Sequence, residues 1–177
     1  MKQRFLVIGM AMLAATAAAC APADESNAGD TGESAAVTAA LTPDSTASSL
    51  WSHLESSAYQ TWPLWPGRDR LYAGTEPHGM LLTTYVNDLA RDALTNGAMT
   101  MPAGAIVVKE NYMPDSTLAA VTVMYKVTGY APASGDWFWA KYNMPGAVVE
   151  ASGRVDMCQA CHAGARDRDF LMTARSQ

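Results

Sequence analysis

Cysteine is scarce in this chain of 177 residues: Cys20, Cys158 and Cys161 are the only three. Two of them form one tight motif and the third stands alone near the N-terminus, so the sequence holds no disulfide framework. Basic residues are also few, with 12 Lys and Arg against 17 Asp and Glu and a net charge of -5. The absence of a basic cluster argues against a nucleic-acid partner.

One long apolar run is present, over residues 5–19, and it follows Lys2 and Arg4. It is too short for a comfortable membrane span and has the features of a secretory signal. The small residues before Cys20 resemble the lipobox of bacterial lipoproteins, in which the cysteine is lipidated. We predict a lipoprotein-type signal peptide over 1–19, periplasmic export and membrane contact through a lipid anchor at Cys20. Plain cleavage beside an incidental cysteine is the alternative.

Residues 20–49 contain no aromatic and no basic residue. Such a segment cannot bury enough apolar area to offset its ordering entropy, so we predict a flexible tether. All five Trp and all seven Tyr follow this segment, and one folded domain is predicted over 50–177.

Apolar spacing within the domain predicts a helix over 49–59 and another over 88–95, capped by Asn87. Runs rich in β-branched and aromatic residues, bounded by Gly and Pro, predict strands over residues 80–86, 105–112, 118–127, 136–142 and 147–150. Short connections favour an antiparallel meander. The predicted class is α+β, a mainly antiparallel β-sheet with a few helices, the last of which starts near residue 156.

The last helix carries Cys158-Gln159-Ala160-Cys161-His162, the attachment motif of haem c. Two thiols three residues apart can each bond one vinyl group of the same porphyrin, and His162 then lies beneath the iron. A redox dithiol would need a βαβ context, and a zinc site would need further Cys or His at suitable spacing. We predict one covalent haem c, with His162 as the metal ligand.

A sixth iron ligand, if there is one, must come from upstream, because only 15 residues follow His162 and Met172 on that tail is a poor candidate. His78 is a candidate, whereas His53 is expected to be exposed. The upstream methionines, each more often a core residue, are Met80, Met99, Met101, Met113, Met124, Met144 and Met157. Without a sixth ligand, the open iron would bind NO, CO, hydroxylamine or peroxide.

The aromatic strand supplies candidates for the wall beyond the iron. Trp137, Trp139 and Lys141 share one face of the strand over 136–142, and the other face carries Phe138, Ala140 and Tyr142. An apolar aromatic wall would restrict access of charged species. Ordinary core packing of the same rings is the alternative.

Several short motifs run along the domain toward the haem motif. They include Trp65-Pro66-Gly67, Pro77-His78-Gly79, Lys109-Glu110-Asn111-Tyr112, Val121-Thr122-Val123-Met124-Tyr125-Lys126 and Gly135-Asp136-Trp137-Phe138-Trp139-Ala140-Lys141-Tyr142. With them the sequence over about 60–170 resembles the cytochrome P-460 family, which includes the beta-type c-prime cytochromes. The resemblance implies a mostly β fold and a five-coordinate haem c. It also implies NO binding or oxidation of hydroxylamine and NO, and often a homodimer.

Enzymatic members of that family cross-link a lysine to the porphyrin. By the resemblance, that position falls at Met99, Thr100 and Met101, and none of these can make the bond. The enzymes also use a distal carboxylate, for which Glu110 is the nearest candidate. Lys109 and Lys141 are further candidates for the pocket.

The sequence therefore favours an exported monohaem cytochrome with an open distal iron that binds, and as an oxidoreductase converts, NO or hydroxylamine. The alternative is a periplasmic electron-transfer cytochrome with a six-coordinate haem; either would require a redox partner protein. A four-helix-bundle c-prime cytochrome is disfavoured by the β-branched runs and the many Pro and Gly residues.

Overall fold

Six strands form one antiparallel sheet in the computed structural model, which describes residues 42–173. Each strand pairs with the next strand in the chain, so the predicted meander is confirmed. The strands are β1 (Tyr72–Ala73), β2 (Leu81–Val86), β3 (Ile106–Tyr112), β4 (Leu118–Lys126), β5 (Trp137–Asn143) and β6 (Val148–Gly153).

Three α-helices accompany the sheet in the described part of the chain: α1 (Ala47–Ser56), α2 (Asp88–Thr95) and α3 (Asp156–His162). The predicted α+β class with a C-terminal helix is therefore confirmed. Asn87 caps α2 as predicted, because its Oδ1 accepts a hydrogen bond from the Ala90 N–H at 3.1 Å. No helix within residues 42–173 is long and apolar enough to span a membrane. The predicted signal peptide and Cys20 lie outside the described residues.

The folded domain begins before the predicted boundary at residue 50. Helix α1 starts at Ala47, and the Tyr125 hydroxyl donates a hydrogen bond to the Pro43 carbonyl oxygen at 2.9 Å. The end of the segment predicted as a tether therefore packs on the sheet, and only its earlier part lies outside the described residues.

Alternation along the strands gives the sheet two different faces. Helix α1 covers one of them, the α1 face, and buries Leu50 and Leu54 completely there. The α1 face is built from Val108, Val121, Val123, Phe138, Ala140 and Tyr142. The opposite face, the cavity face, is built from Val107, Lys109, Asn111, Thr122, Met124, Trp139 and Lys141. The predicted division of the aromatic strand between two faces is thus observed.

Candidate haem-binding site

A cavity of about 370 Å³ lies between the cavity face of the sheet and the C-terminal segment. Strands β3, β4 and β5 supply its largely apolar floor, and α3, the turn between β1 and β2, part of β6 and residues 171–173 contribute to the rest of the lining. The lining includes Val107, Lys109, Met124, Trp139, Lys141, Cys158, Cys161, His162 and His78. The fold therefore turns the C-terminal Cys-x-x-Cys-His motif toward the sheet.

His162, the last residue of α3, is held in one orientation by the chain that follows it. Its side chain is buried, and its Nδ1–H donates to the Phe170 carbonyl oxygen at 2.7 Å. This bond leaves Nε2 with its lone pair. Burial lowers the pKa of His162, so the imidazole is neutral at neutral pH. A neutral, oriented imidazole is the form that binds iron.

The Phe170 carbonyl is positioned by its neighbour Asp169. Both residues have left-handed backbone conformations, with φ of 53° at Asp169 and 64° at Phe170. The Asp169 carboxylate accepts hydrogen bonds from Lys126 Nζ and from the Met101 N–H, each at 2.7 Å. The Trp137 indole N–H donates to the Asp169 carbonyl at 2.8 Å. Buried partners on three parts of the chain therefore fix the loop that orients the histidine.

Trp139 lies on the cavity floor beside His162. The two ring centroids are 4.7 Å apart, and the ring planes meet at 67°. Its Nε1 is buried and has no hydrogen-bond partner within residues 42–173. A buried N–H without an acceptor is costly, so this position fits a bound group that supplies an acceptor atom.

The motif cysteines lie one helical turn apart on α3. Both are free thiols in the cavity lining; Cys158 is half-buried and Cys161 is exposed. Residues three apart share a helix face, as attachment to one porphyrin edge requires. Within residues 42–173 no three His, Cys, Asp or Glu side chains form a group that could hold a metal ion.

Two lysines reach the cavity from the strands on either side of β4. Lys109 of β3 lies in the interior, where burial lowers its pKa to about 8. Lys141 of β5 is more exposed and forms a salt bridge of 2.9 Å with Glu150. The two side chains therefore differ: one is a largely desolvated amine inside the cavity, and the other is a paired charge at its edge.

Glu110 and Trp137, two of the distal candidates from the sequence, do not line the cavity. Glu110 is buried on the other side of the sheet, where it accepts hydrogen bonds from the Tyr59 hydroxyl at 2.9 Å and the Tyr112 hydroxyl at 2.5 Å. Burial and the Glu110 charge raise the pKa of Tyr59. Glu110 therefore closes a polar network away from the haem motif, while Trp137 supports Asp169.

Four of the candidate methionines line the cavity: Met113, Met124, Met157 and Met172. The others, Met80, Met99, Met101 and Met144, are not part of the lining. Sequence reasoning missed Lys126, Asp169 and Phe170, whose contacts join positions far apart in the chain. Their only sequence signal is Lys126, the one charged residue of β4.

Two thiols on one helical turn, an oriented imidazole and an apolar cavity define the class: a haem-binding cytochrome. The sequence matches the family model described as Cytochrome P460 over residues 57–173, so the chain belongs to the cytochrome P460 family. A search of curated proteins finds no match to this sequence. The resemblance seen in the sequence is confirmed, and with it the haem cofactor that the family implies.

Proposed function

We propose that this protein is an exported monohaem c-type cytochrome whose iron binds small nitrogen ligands, NO and hydroxylamine. Cys158 and Cys161 hold the porphyrin covalently, and His162 binds the iron. One observation carries the proposal. The neutral His162 ring is oriented by its hydrogen bond to the Phe170 carbonyl oxygen, and it lines the same cavity as both thiols. When bound, haem supplies an iron that can coordinate small ligands and exchange electrons.

The residues of the cavity favour small neutral ligands. Val107, Met124 and Trp139 form an apolar floor that excludes water and penalises a bare charge. Lys109 adds a donor inside the cavity and disfavours cations. Conversion of NO or hydroxylamine, as distinct from binding, would in addition require electron exchange with a redox partner protein.

A second candidate function is electron transfer with a six-coordinate iron. One observation favours it: the ring centroid of His78 lies 6.1 Å from that of His162. Such an iron would pass electrons to a partner protein and would respond to added ligands only if His78 could leave.

The proposed setting is the periplasm, with a signal peptide over 1–19 and a lipid anchor at Cys20 as the membrane contact. A homodimer is proposed from the family resemblance, and no nucleic-acid partner is expected from the acidic composition. Fractionation of cells that express wild type and Cys20→Ser tests the anchor. The variant should move from the membrane fraction to the soluble periplasmic fraction.

Covalent attachment is tested on the purified full-length protein by extraction with acidified acetone and by haem staining after denaturing electrophoresis. Haem should stay with the wild-type chain and be lost from the double variant Cys158→Ser, Cys161→Ser. Cys20→Ser is the matched control, because it removes a cysteine outside the motif and should keep the haem. Haem that acidified acetone extracts from wild type would overturn the c-type assignment.

Ligand binding is tested by optical titration of the ferric and ferrous protein with NO and hydroxylamine. We expect a saturable change of the iron spectrum in wild type. His162→Ala should alter the spectrum before any ligand is added. A wild-type spectrum indifferent to both ligands would instead support the electron-transfer function.

A further inference from the structure

Three exposed methionines line the cavity, although they come from three separate parts of the chain. Met113 follows β3, Met157 lies on α3 and Met172 lies in the C-terminal segment. These residues are 51%, 69% and 45% exposed, respectively. A side chain that lines the cavity and is also open to solvent lies where the cavity meets solvent. The three residues are called the mouth methionines below.

Two of the mouth methionines are close in sequence to the residues that would hold the haem. Met157 directly precedes Cys158, the first of the two attachment thiols. Met172 lies two residues after Phe170, whose carbonyl oxygen accepts the hydrogen bond from His162. A porphyrin bonded to Cys158 and an iron bound by His162 would therefore have thioether sulfur close by, and that sulfur is within reach of solvent.

The chemistry of thioether sulfur sets these residues apart from the rest of the lining. Peroxide converts a methionine to its sulfoxide by adding one oxygen atom to the sulfur. The other oxidisable side chains of the cavity are less accessible. Both motif cysteines are consumed in bonds to the porphyrin once haem is attached. Trp65, Met124 and Trp139 are buried in the floor, with at most 8% of each residue exposed.

We propose that the mouth methionines are oxidation sites, at which the haem-loaded protein takes up oxygen from hydrogen peroxide and so protects Trp139. The inference rests on the proposed function, because it requires an iron held by His162 that is open to peroxide. When bound, haem supplies the activation of the O–O bond. The O–O bond breaks, and the sulfur lone pair forms a bond to one of the two oxygens. The other oxygen leaves as water with both hydrogens of the peroxide, so sulfur loses the two electrons that peroxide gains.

Protection matters most at Trp139, because its ring lies beside the iron ligand. The ring centroids of Trp139 and His162 are 4.7 Å apart. An oxidised indole at this position would disturb the packing of His162. A sulfoxide at the mouth makes an apolar side chain polar, but it leaves the buried floor as it was. Uptake of oxygen by exposed sulfur therefore costs the site less than oxidation of its floor.

Regioselectivity is tested by peptide mass spectrometry of the purified full-length holoprotein after exposure to limiting hydrogen peroxide. Met99 is the internal control for Met157, because it is 68% exposed and does not line the cavity. Met80, which is 55% exposed and also lies outside the lining, is the control for Met113. Sulfoxide should form about tenfold faster or more at Met157 than at Met99, because activation beside the sulfur raises the effective concentration of oxidant. Equal rates at Met157 and Met99 would overturn the inference.

Dependence on the iron is tested by repeating the measurement with cyanide bound to the ferric holoprotein. Blocking the iron should lower the rate at Met157 to that at Met99. The haem-free double variant Cys158→Ser, Cys161→Ser should also show equal rates, and the cyanide-blocked wild type gives the same comparison on a chain that keeps its haem. A preference for Met157 that persists with cyanide would overturn the inference.

The protective role is tested with the triple variant Met113→Leu, Met157→Leu, Met172→Leu, with Met99→Leu as the matched control. Leucine keeps the apolar volume and cannot accept oxygen. Oxidation of Trp139 at a given dose of peroxide should rise in the triple variant alone, and an unchanged level would contradict protection. All these results are read on wild type whose haem resists acidified acetone, so they leave the proposed function intact. Extraction of that haem would instead mark the failure of the proposed function.

Discussion

Lys126 and Asp169 form a buried ion pair in which Lys126 Nζ lies 2.7 Å from both carboxylate oxygens. Only 8% of the lysine side chain and 6% of the aspartate side chain are exposed. The pair joins the end of β4 to the loop that contains Asp169. The residue after Asp169 is Phe170, whose carbonyl oxygen accepts the hydrogen bond from His162. The orientation of His162, the proposed proximal ligand, therefore depends on an ion pair that does not touch the Cys-x-x-Cys-His motif.

Asp169→Asn should destabilise the holoprotein by about 3 kcal/mol, because it leaves the Lys126 charge buried without its partner. Urea unfolding followed by tryptophan fluorescence measures this loss. The control is Asp88→Asn, which breaks the exposed pair of Asp88 with Arg91 and should cost less than about 1 kcal/mol. Equal losses in the two variants would contradict the structural role of the buried pair.

Gly135→Ala should disturb the loop of Asp169 and Phe170, because Gly135 packs against the Phe170 ring. A Cβ atom at Gly135, where φ is +69°, would lie 2.7 Å from the Phe170 ring. Gly129 is the matched control, since its φ is +75° and nothing lies within 4 Å of an added Cβ. Both alanines incur the cost of left-handed backbone, about 1 kcal/mol, and Gly135→Ala should lose about 1–3 kcal/mol more from overpacking. Only Gly135→Ala should shift the iron spectrum, because only it moves Phe170. Identical unfolding midpoints and spectra for the two variants would contradict this packing.

Glu110→Gln should leave the iron spectrum and the affinity for NO unchanged, because Glu110 lies on the side of the sheet away from the cavity. The variant should lose about 1–3 kcal/mol of stability. Its amide N–H₂ cannot accept a hydrogen bond, so either the Tyr59 or the Tyr112 hydroxyl loses the carboxylate oxygen to which it donates. Optical titration with NO and urea unfolding on the same sample separate the two effects. A change in NO affinity without a loss of stability would restore a distal role to Glu110.

Local patterns were sufficient for much of the fold. The β-branched residues of β4, with glycine and proline nearby, predict that strand. Asn87 predicts the start of α2, because a cap acts within three residues. Alternation also separates Trp139 from Phe138. By contrast, the start of α1 at Ala47 lies in a segment rich in Ala, Ser and Thr, where many residues could cap a helix. Thr46 is the cap, because its Oγ1 accepts a hydrogen bond from the Ser49 N–H at 3.2 Å, and the Tyr142 hydroxyl donates to the Ala47 carbonyl oxygen at 2.7 Å.

The site was less predictable, because it depends on which face of the sheet the C-terminal segment covers. Alternation places Glu110 and Lys109 on opposite faces, but no local signal assigns the cavity to either one. The link between Lys126 and Asp169 spans 43 residues and has no periodic signature. The Cys-x-x-Cys-His motif is different, since its spacing carries its chemistry within five residues.

Lys109→Met should make the stability of the protein less dependent on pH above pH 8. Burial lowers the pKa of Lys109 from 10.5 to about 8, and no salt bridge within residues 42–173 involves it. Between these two pH values the unfolded chain binds the proton and the folded chain does not, so wild type gains stability as pH rises. The wild-type free energy of unfolding should therefore rise relative to that of Lys109→Met, by at most about 3 kcal/mol. Urea unfolding of the holoproteins at about pH 7.5, 9 and 10.5 measures the difference, because these values span the pKa of Lys109 in the folded and in the unfolded chain. Lys141→Met controls for the loss of a cavity lysine, and the same pH dependence in both variants would place the titrating group elsewhere.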